Sequence, residues 1–266
     1  MKFLLPALFS LCVLCNAQAD EALKAAIASP ERTPAFAQRD VWRHPYETLT
    51  FFGIRPDSTV VELSPGAGWY TEILAPYLRD KGQLIVGADD PQSSNAGFVN
   101  RRQRLVDKFK ASPQRYDKVV LGVFVPPAQL AYAAPNSADL VLTFRNIHNW
   151  MDDGDGVVAA VFASAFRSLK HGGVFGVVEH RLPATQVQDA TTSTGYVSQA
   201  YVVQVAKAAG FQLAGSSEIN ANPKDTADHP GGVWALPPSY FNKDADRSKY
   251  EAIGESDRMT LKFVKP

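Results

Sequence analysis

A β-branched run, a glycine-bearing turn and a helical pattern follow one another in residues 60–71. This order predicts a backbone loop at the carboxyl end of a strand, where open α/β sheets bind nucleotide-like ligands. Gly66 and Gly68 would let the main chain approach a ligand that a Cβ would keep away. Glu62 would place a carboxylate beside the same space and repel a pyrophosphate. The segment therefore favours a ligand that carries an ammonium group or hydroxyl groups.

Valine-rich runs and amphipathic segments alternate along the rest of the chain. The predicted strands are 59–64, 83–88, 118–124, 138–144 and 173–179, and the helices between them are 69–79, 98–110 and 157–169. Continuously apolar runs are typical of strands buried on both faces, and their alternation with helices predicts a parallel sheet. A helix over 195–209, a strand over 211–219 and a last, antiparallel strand over 259–264 follow. We expect an α/β fold with a Rossmann-like, mostly parallel sheet of seven strands and helices on both faces.

The N-terminus has the pattern of a signal peptide. A basic residue precedes an apolar run over 3–15, and positions 17–19 have the small-x-small cleavage pattern. The run is too short to span a bilayer stably, and no later stretch qualifies. A lipoprotein anchor at Cys15 is the alternative, but Leu14 stands where lipoprotein processing requires a small residue. We therefore expect cleavage after position 19 and an exported protein, periplasmic or secreted, with no stable membrane span.

Composition narrows the possible partners and sites. Both cysteines, Cys12 and Cys15, lie in the signal segment, so the mature chain would have no disulfide or thiolate, which suits an oxidising compartment. The formal net charge is zero, which indicates no polyanionic partner such as nucleic acid. We expect a signal peptide over 1–19, an N-terminal helical annex over 20–56 and one α/β domain over 57–266.

A second acidic signal follows the second predicted strand, which ends with Asp89 and Asp90. In this topology a carboxylate there faces the ribose of a bound nucleoside and accepts from both hydroxyls. The alternative is that these residues only form a turn or cap a helix. The glycine register, Ser64-x-Gly66-x-Gly68, differs from the dinucleotide fingerprint, and no P-loop lysine is present.

With these features the chain resembles the class I S-adenosylmethionine-dependent methyltransferases. The resemblance covers roughly residues 57–219, and its motifs are 60–68, 85–89, 138–141 and 169–175. More narrowly, the chain is similar to a group of exported, predicted methyltransferases through residues 43–49, 65–72 and 179–181.

The resemblance implies S-adenosylmethionine at the carboxyl ends of the first two strands and methyl transfer to a small molecule or an envelope component. The donor-binding residues that it implies are Glu62, Ser64, Pro65, Gly66, Ala67, Gly68, Asp89, Asp90, Phe124, Arg145 and Asn146. Ser64 replaces the first glycine of the family motif. After the third strand only Gln129 is available for the adenine amino group, unless Phe124 or Val125 covers the ring with an apolar surface.

The candidate catalytic residues follow the fourth and fifth strands. His148 is the candidate general base, because its ordinary pKa suits proton transfer near neutrality. Glu179 and His180 lie on the same predicted rim and are the alternatives for that role. The structural alternatives are that His148 and Asn149 only hold loop backbone while Trp150 fills the core, and that an ion pair of Arg181 with a glutamate only orders the loop after the fifth strand. No group of His, Asp and Glu residues has the spacing of a metal site, so we expect no metal.

Two further motifs have structural interpretations. Asp152 and Asp153 lack the glutamate that would complete a calcium loop, so we expect them to cap the helix that begins near 157. His229 lies in a loop rich in proline and glycine, and we expect it to be exposed.

Other functions remain open. An exported binding protein that keeps the methyltransferase fold, but only binds a nucleoside-like metabolite, is favoured by Ser64 and by the weak adenine partner. A nicotinamide oxidoreductase fits the topology but not the glycine register. An α/β-hydrolase would need a nucleophile elbow that the chain lacks.

Overall fold

The computed structural model of the protein describes residues 20–266, so the predicted signal peptide lies outside the described residues. The first helices are α1 (20–27), α2 (Pro34–Ala37), α3 (Asp40–Arg43) and α4 (Pro45–Phe52). His44 adopts a left-handed conformation between α3 and α4, and Pro45 occupies the first turn of α4. A proline suits that position because the amide hydrogen it lacks has no partner within the helix.

The remaining chain alternates between strands and helices. The strands are β1 Thr59–Leu63, β2 Gln83–Ala88, β3 Val120–Val123, β4 Ala138–Phe144, β5 Leu169–Leu182, β6 Val197–Ser198, β7 Gln212–Ser217 and β8 Arg258–Val264. The helices are α5 Thr71–Leu78, α6 Ala96–Ala111, α7 Pro113–Tyr116, α8 Ile147–Asp152, α9 Val157–Ser168, α10 Gln199–Ala208 and α11 Arg247–Ile253. A short 3-10 helix spans Gly232–Ala235.

The sheet confirms the predicted fold class. Its strand order is β3-β2-β1-β4-β5-β8-β7, and the two-residue β6 pairs with β5 to make eight strands in all. The pairs among β1 to β5 are parallel, whereas β8 runs antiparallel between β5 and β7. The seven long strands and the inverted last strand match the sequence prediction, and β6 is an addition to it.

Both faces of the sheet are covered, which explains the continuously apolar strands. Neighbouring residues of a strand point to opposite faces. Val61 therefore packs in one apolar cluster with α9 and α10, and Val60 packs in the other with α4, α5 and α6. In the part of the chain that the structure describes, no helix is long and apolar enough to cross a membrane.

Gly176 in β5 lets α4 approach the sheet. A Cβ at this position would lie 2.7 Å from Leu142 Cδ2 and 2.9 Å from the Phe52 ring, and both side chains are fully buried. We expect Gly176→Ala to lower the free energy of unfolding by about 1–3 kcal/mol, because a packed core cannot move away cheaply. Urea denaturation measures this change.

Gly215→Ala is the matched control, because Gly215 also lies in a strand and a Cβ there would meet only the Phe51 ring at 3.5 Å. We expect this variant to stay within about 0.5 kcal/mol of the wild type. Equal stability losses in the two variants would contradict the packing argument.

Candidate functional site

The loop between β1 and α5 is shaped by left-handed residues. Ser64 has φ 48° and Gly66 has φ 59°. A Cβ at Gly66 would meet no atom within 4 Å, so the loop leaves open space on that side. Gly68 differs, because a Cβ there would lie 3.3 Å from both Leu105 and Thr71. Gly68 therefore serves the packing of α5, and Gly66 is the glycine beside open space.

A cavity of about 420 Å³ lies at the carboxyl ends of β1, β2 and β4. Six of the predicted donor-binding residues line it, namely Ser64, Pro65, Gly66, Asp89, Phe124 and Asn146. Val125 and Pro126 extend the wall that Phe124 begins. The structure thus brings the two strand ends, and the residues that the resemblance implied there, to one cavity.

Glu62 does not present its carboxylate to this cavity, contrary to the sequence interpretation. The side chain is 2% exposed, and Thr71 Oγ1 donates to Glu62 Oε2 at 2.6 Å. Burial raises the pKa of Glu62 to about 7, although the hydrogen bond from Thr71 opposes that shift. Glu62 thus ties β1 to α5.

Ala67, Gly68 and Asp90 also lie outside the cavity lining. The exposed Ala67 accepts a hydrogen bond from Lys108 Nζ through its carbonyl at 3.0 Å. Asp90 accepts a hydrogen bond from Gln129 Nε2 at 3.0 Å. It also accepts from the Gln92 amide and so forms a turn, which was the structural alternative to ribose binding. Gln129 is thereby held by Asp90 and does not line the cavity.

Asp89 lines the cavity and forms an ion pair with an arginine. Arg101 on α6 donates to its two carboxylate oxygens at 2.6 and 2.5 Å. The Asp89 side chain is 16% exposed and that of Arg101 is 43% exposed. The pair therefore lies at the cavity surface, where the arginine has room to move away from a ligand.

Two aspartates in the lining correct a sequence interpretation. Asp152 ends α8 and Asp153 is its C-terminal cap, whereas α9 begins after Gly156 with no side-chain cap. Burial and the repulsion from Asp152 raise the pKa of Asp153. Together with Asp89, these aspartates give the cavity lining three carboxylates, whereas Arg101 is its one guanidinium. We call this space the acidic cavity.

The three candidate catalytic residues meet on the other side of β4. Glu179 is fully buried, and its Oε2 accepts from the Ile147 amide at 2.5 Å. Its Oε1 accepts from the His180 amide at 2.8 Å and lies 3.0 Å from His148 Nδ1. The rings of His148 and His180 have their centroids 5.2 Å apart. Sequence order alone could not show that one carboxylate joins both histidines.

The expectation of no metal-ligating group also needs correction on geometric grounds. One ligand atom each of His148, Glu179 and His180 lie within 4.8 Å of one another. However, both oxygens of Glu179 already accept backbone hydrogen bonds, and three arginines line the adjoining space. The surrounding charge therefore favours an anion over a metal cation at this position.

A second cavity of about 230 Å³ adjoins these histidines. Its charged lining consists of Arg39, Arg43, Arg145 and Glu255. Glu255 accepts from Arg39 at 2.5 Å, from Arg43 at 3.2 Å and from Arg258 at 2.9 Å. Burial would raise the pKa of Glu255, but these guanidinium groups lower it to about 2. We call this space the basic cavity.

Arg145 was expected to bind the donor, but it lines the basic cavity. Burial lowers its pKa to about 10, against the attraction of Glu255. Burial and the nearby charges of His148 and Arg145 also hold the pKa of His180 well below its usual range. Arg145 thus remains a cation at neutral pH, and His180 remains neutral.

The segment from β4 into α8 borders both cavities. Arg145 and His148 line the basic cavity, whereas Asn146, Asn149 and Trp150 line the acidic one. Asn146 is held in place because its Nδ2 donates to the Leu63 carbonyl at 3.1 Å. A single turn of chain therefore faces both spaces.

Several residues of the basic cavity were not predicted as site residues, although Arg43 begins one of the stretches that carry the resemblance. Arg39 and Arg43 come from the N-terminal helices, Trp234 from the 3-10 helix and Glu255 from the turn before β8. His229 was expected to be exposed, but it is buried, and its Nε2 lies 2.8 Å from Asp225 Oδ1. It belongs to the packing of this C-terminal segment.

A larger groove, of about 810 Å³, lies elsewhere among the described residues. It is lined by α1 and by the segments that precede β1 and β2. These are the amino ends of the strands, whereas ligands of open α/β sheets bind at the carboxyl ends. The acidic and basic cavities therefore form the candidate site.

The sequence matches no protein-family model and no curated protein. The structure is similar to an S-adenosylmethionine-dependent methyltransferase from Aquifex aeolicus, with TM-score 0.56 and 12% identity over 93% of this chain and 98% of that one. The fold is that of the class I S-adenosylmethionine-dependent methyltransferases. A phosphoethanolamine N-methyltransferase from Haemonchus contortus, in complex with S-adenosyl-L-methionine, has TM-score 0.54 and 16% identity over 85% of this chain and 53% of that chain.

The cyclase SpnF has the same fold, with TM-score 0.58 and 15% identity over 95% of both chains. A neighbour described as a cyclase shows that this fold is not tied to one reaction. The function of the present chain must therefore be argued from its own cavities.

Glu62 and Glu72 should have opposite effects on the pH dependence of stability. The stability contributed by Glu62 is present below its unfolded pKa near 4.5 and is lost as pH rises through about 7. In Glu62→Gln, we expect the decrease in the free energy of unfolding with rising pH to be smaller than in the wild type by up to about 3 kcal/mol. One pKa unit corresponds to about 1.4 kcal/mol. Urea unfolding at pH 5 and pH 8 measures the change.

Glu72→Gln is the control with the opposite sign. Burial would raise the pKa of Glu72, but hydrogen bonds from Lys108 and Thr33 lower it, so its contribution is present above the unfolded pKa and lost in acid. We expect this variant to lose stability at neutral pH. A wild-type pH dependence in Glu62→Gln would refute the assignment of a raised pKa to Glu62.

Proposed function

We propose that this chain is an S-adenosylmethionine-dependent methyltransferase that acts on a small molecule outside the cytoplasm. The observation that carries the proposal is the pairing of the acidic cavity with a buried His148–Glu179 pair across one turn of chain. A non-catalytic binding protein would need only the first of these two features. Export rests on the predicted signal peptide of residues 1–19, and a basic cavity of about 230 Å³ supports a small acceptor.

The acidic cavity fits the donor in shape and in charge. S-Adenosylmethionine carries a sulfonium and an ammonium, and three carboxylates line this space. The open side of Gly66 admits a ligand close to the backbone, and the apolar wall of Phe124, Val125 and Pro126 suits an adenine ring. Asp89 is the carboxylate for the ribose hydroxyls, with Arg101 displaced from at least one oxygen. When bound, the donor supplies an electrophilic methyl group.

His148 is the residue that accepts the acceptor's proton in this proposal. Glu179 engages Nδ1, which leaves Nε2 as the nitrogen available to the basic cavity. The buried carboxylate also stabilises the imidazolium that forms. A bound donor would supply the methyl group to the acceptor's hydroxyl or amine and leave as the neutral thioether, and His148 Nε2 would accept the proton that the acceptor loses. His180 is a weaker base, because its pKa is lowered and Ser256 Oγ lies 2.5 Å from its Nδ1.

Donor binding is the first test. We expect isothermal calorimetry on residues 20–266 to show saturable binding of S-adenosylmethionine and of S-adenosylhomocysteine. Gly66→Val should weaken binding at least 10-fold, because its side chain enters the open side of the loop and its φ of 59° disfavours a β-branched residue.

Gly172→Val is the matched control. Gly172 also has a positive φ, and a Cβ there would meet no atom within 4 Å, but it lies at the start of β5 and outside the acidic cavity. We expect its affinity for the donor to equal that of the wild type. Absence of donor binding in a folded wild-type chain would reject the methyltransferase proposal.

The role of His148 is tested by separating binding from turnover. We expect His148→Asn to keep the donor Kd and to lower the rate of S-adenosylhomocysteine release by about 100-fold or more, with a panel of small phenols and amines as acceptors. His180→Asn should lower the rate less. An unchanged rate in His148→Asn would exclude it as the base, and donor binding without product from any acceptor would favour the non-catalytic alternative.

A further inference from the structure

We propose that the basic cavity binds the methyl acceptor through an acid group, that Arg145 is its anchor, and that the acceptor is a small aromatic carboxylic acid with a methylatable hydroxyl. This inference rests on the proposed function and specifies its substrate class. It follows from a difference in ion-pair partners among the arginines in and beside the basic cavity.

Of the described arginines that line the basic cavity, Arg145 is the one without an ion-pair partner. Arg39, Arg43 and Arg258 all share the carboxylate of Glu255. Among residues 20–266, the Arg145 side chain forms no hydrogen bond or ion pair, and the attraction of Glu255 is the largest of the charge interactions that favour its cationic form. A half-buried guanidinium that lines a cavity and lacks a counterion favours a bound anion.

The position of Arg145 puts such an anion close to the reacting groups. Arg145 follows β4 directly, with φ 63°, and its amide donates to the Val178 carbonyl at 2.7 Å. This left-handed conformation is uncommon in a non-glycine residue. It places Arg145 in the basic cavity, while the next residue, Asn146, lines the acidic cavity. An acceptor held by Arg145 would therefore lie beside the donor site and beside His148.

The remaining walls indicate the shape of the acceptor. Trp234, Pro237 and Pro238 form an apolar side of the basic cavity, and the Trp234 ring lies 6.0 Å from the His148 ring at an angle of 74°. At this distance the two rings are in edge-to-face contact, so a flat acceptor would pack against the apolar side of the cavity and not between the rings. The volume of about 230 Å³ is below the ~300–1,000 Å³ of sites for drug-sized ligands, which favours a small acid.

A carboxylate agrees with the geometry of the anchor. A guanidinium presents parallel N–H donors that match the two oxygens of a carboxylate. A phosphate ester would also pair with Arg145, and the experiment separates the two. A metal cation is disfavoured by the same arginines that favour the acid.

The experiment compares matched ligands on the complex with S-adenosylhomocysteine. Calorimetry would measure the binding of 3- and 4-hydroxybenzoate, of the corresponding hydroxybenzamides and of phenyl phosphate. We expect at least one hydroxybenzoate to bind at least 10-fold more tightly than its neutral amide. We also expect phenyl phosphate to bind more weakly than that hydroxybenzoate.

Two variants identify the anchor. Arg145→Gln should weaken hydroxybenzoate binding by about 10- to 100-fold, remove the preference for acid over amide and leave the Kd of S-adenosylhomocysteine unchanged. Arg55→Gln removes the same charge at an exposed site paired with Asp57, and it should behave as the wild type. Circular dichroism would confirm that both variants are folded.

Three outcomes would overturn the inference. They are equal binding of acid and amide, unchanged hydroxybenzoate affinity in Arg145→Gln, and no binding of any acid to the S-adenosylhomocysteine complex. Each would leave the donor-binding half of the proposed function standing. Tighter binding of phenyl phosphate would overturn the choice of a carboxylate. If S-adenosylhomocysteine itself does not bind, the proposed function fails, and hydroxybenzoate binding to the ligand-free chain still tests Arg145.

Discussion

The buried carboxylate of Glu179 holds the corner on which both cavities depend. Its two oxygens engage the first amide of α8, the imidazole of His148 and the amide of His180. These contacts fix the direction in which the chain leaves β4. Because the same short segment lines the acidic cavity with Asn146 and the basic cavity with His148, one buried carboxylate determines the relation between the two spaces. Loss of this carboxylate would leave buried donors without an acceptor.

The two cavities carry opposite charge, which suits a reaction between unlike partners. Aspartates dominate the first and arginines the second. Each cavity therefore favours ligand groups of the charge opposite to its own. A cationic donor and an anionic acceptor would each be favoured in one cavity and disfavoured in the other. This arrangement would keep the two substrates from competing for one place.

Sequence patterns predicted the fold, and about half of the residues expected to bind the donor line the acidic cavity. The valine-rich runs identified the long strands, and the glycine turn and Asp89 were placed correctly at one cavity. The interpretation of Glu62 was wrong because β1 turns that side chain inward toward Thr71. The expected exposure of His229 was wrong because a loop rich in proline and glycine can still pack when a partner such as Asp225 is available.

The sequence by itself determined the order and type of the long strands, because burial on both faces requires apolar runs that a local pattern reveals. It also determined which residues follow each strand, and hence the chemistry available at the sheet edge. Only the tertiary structure decided the basic cavity, whose charged residues come from the beginning, the middle and the end of the chain. Such long-range pairing depends on how helices and loops pack over the sheet, and no local spacing records it.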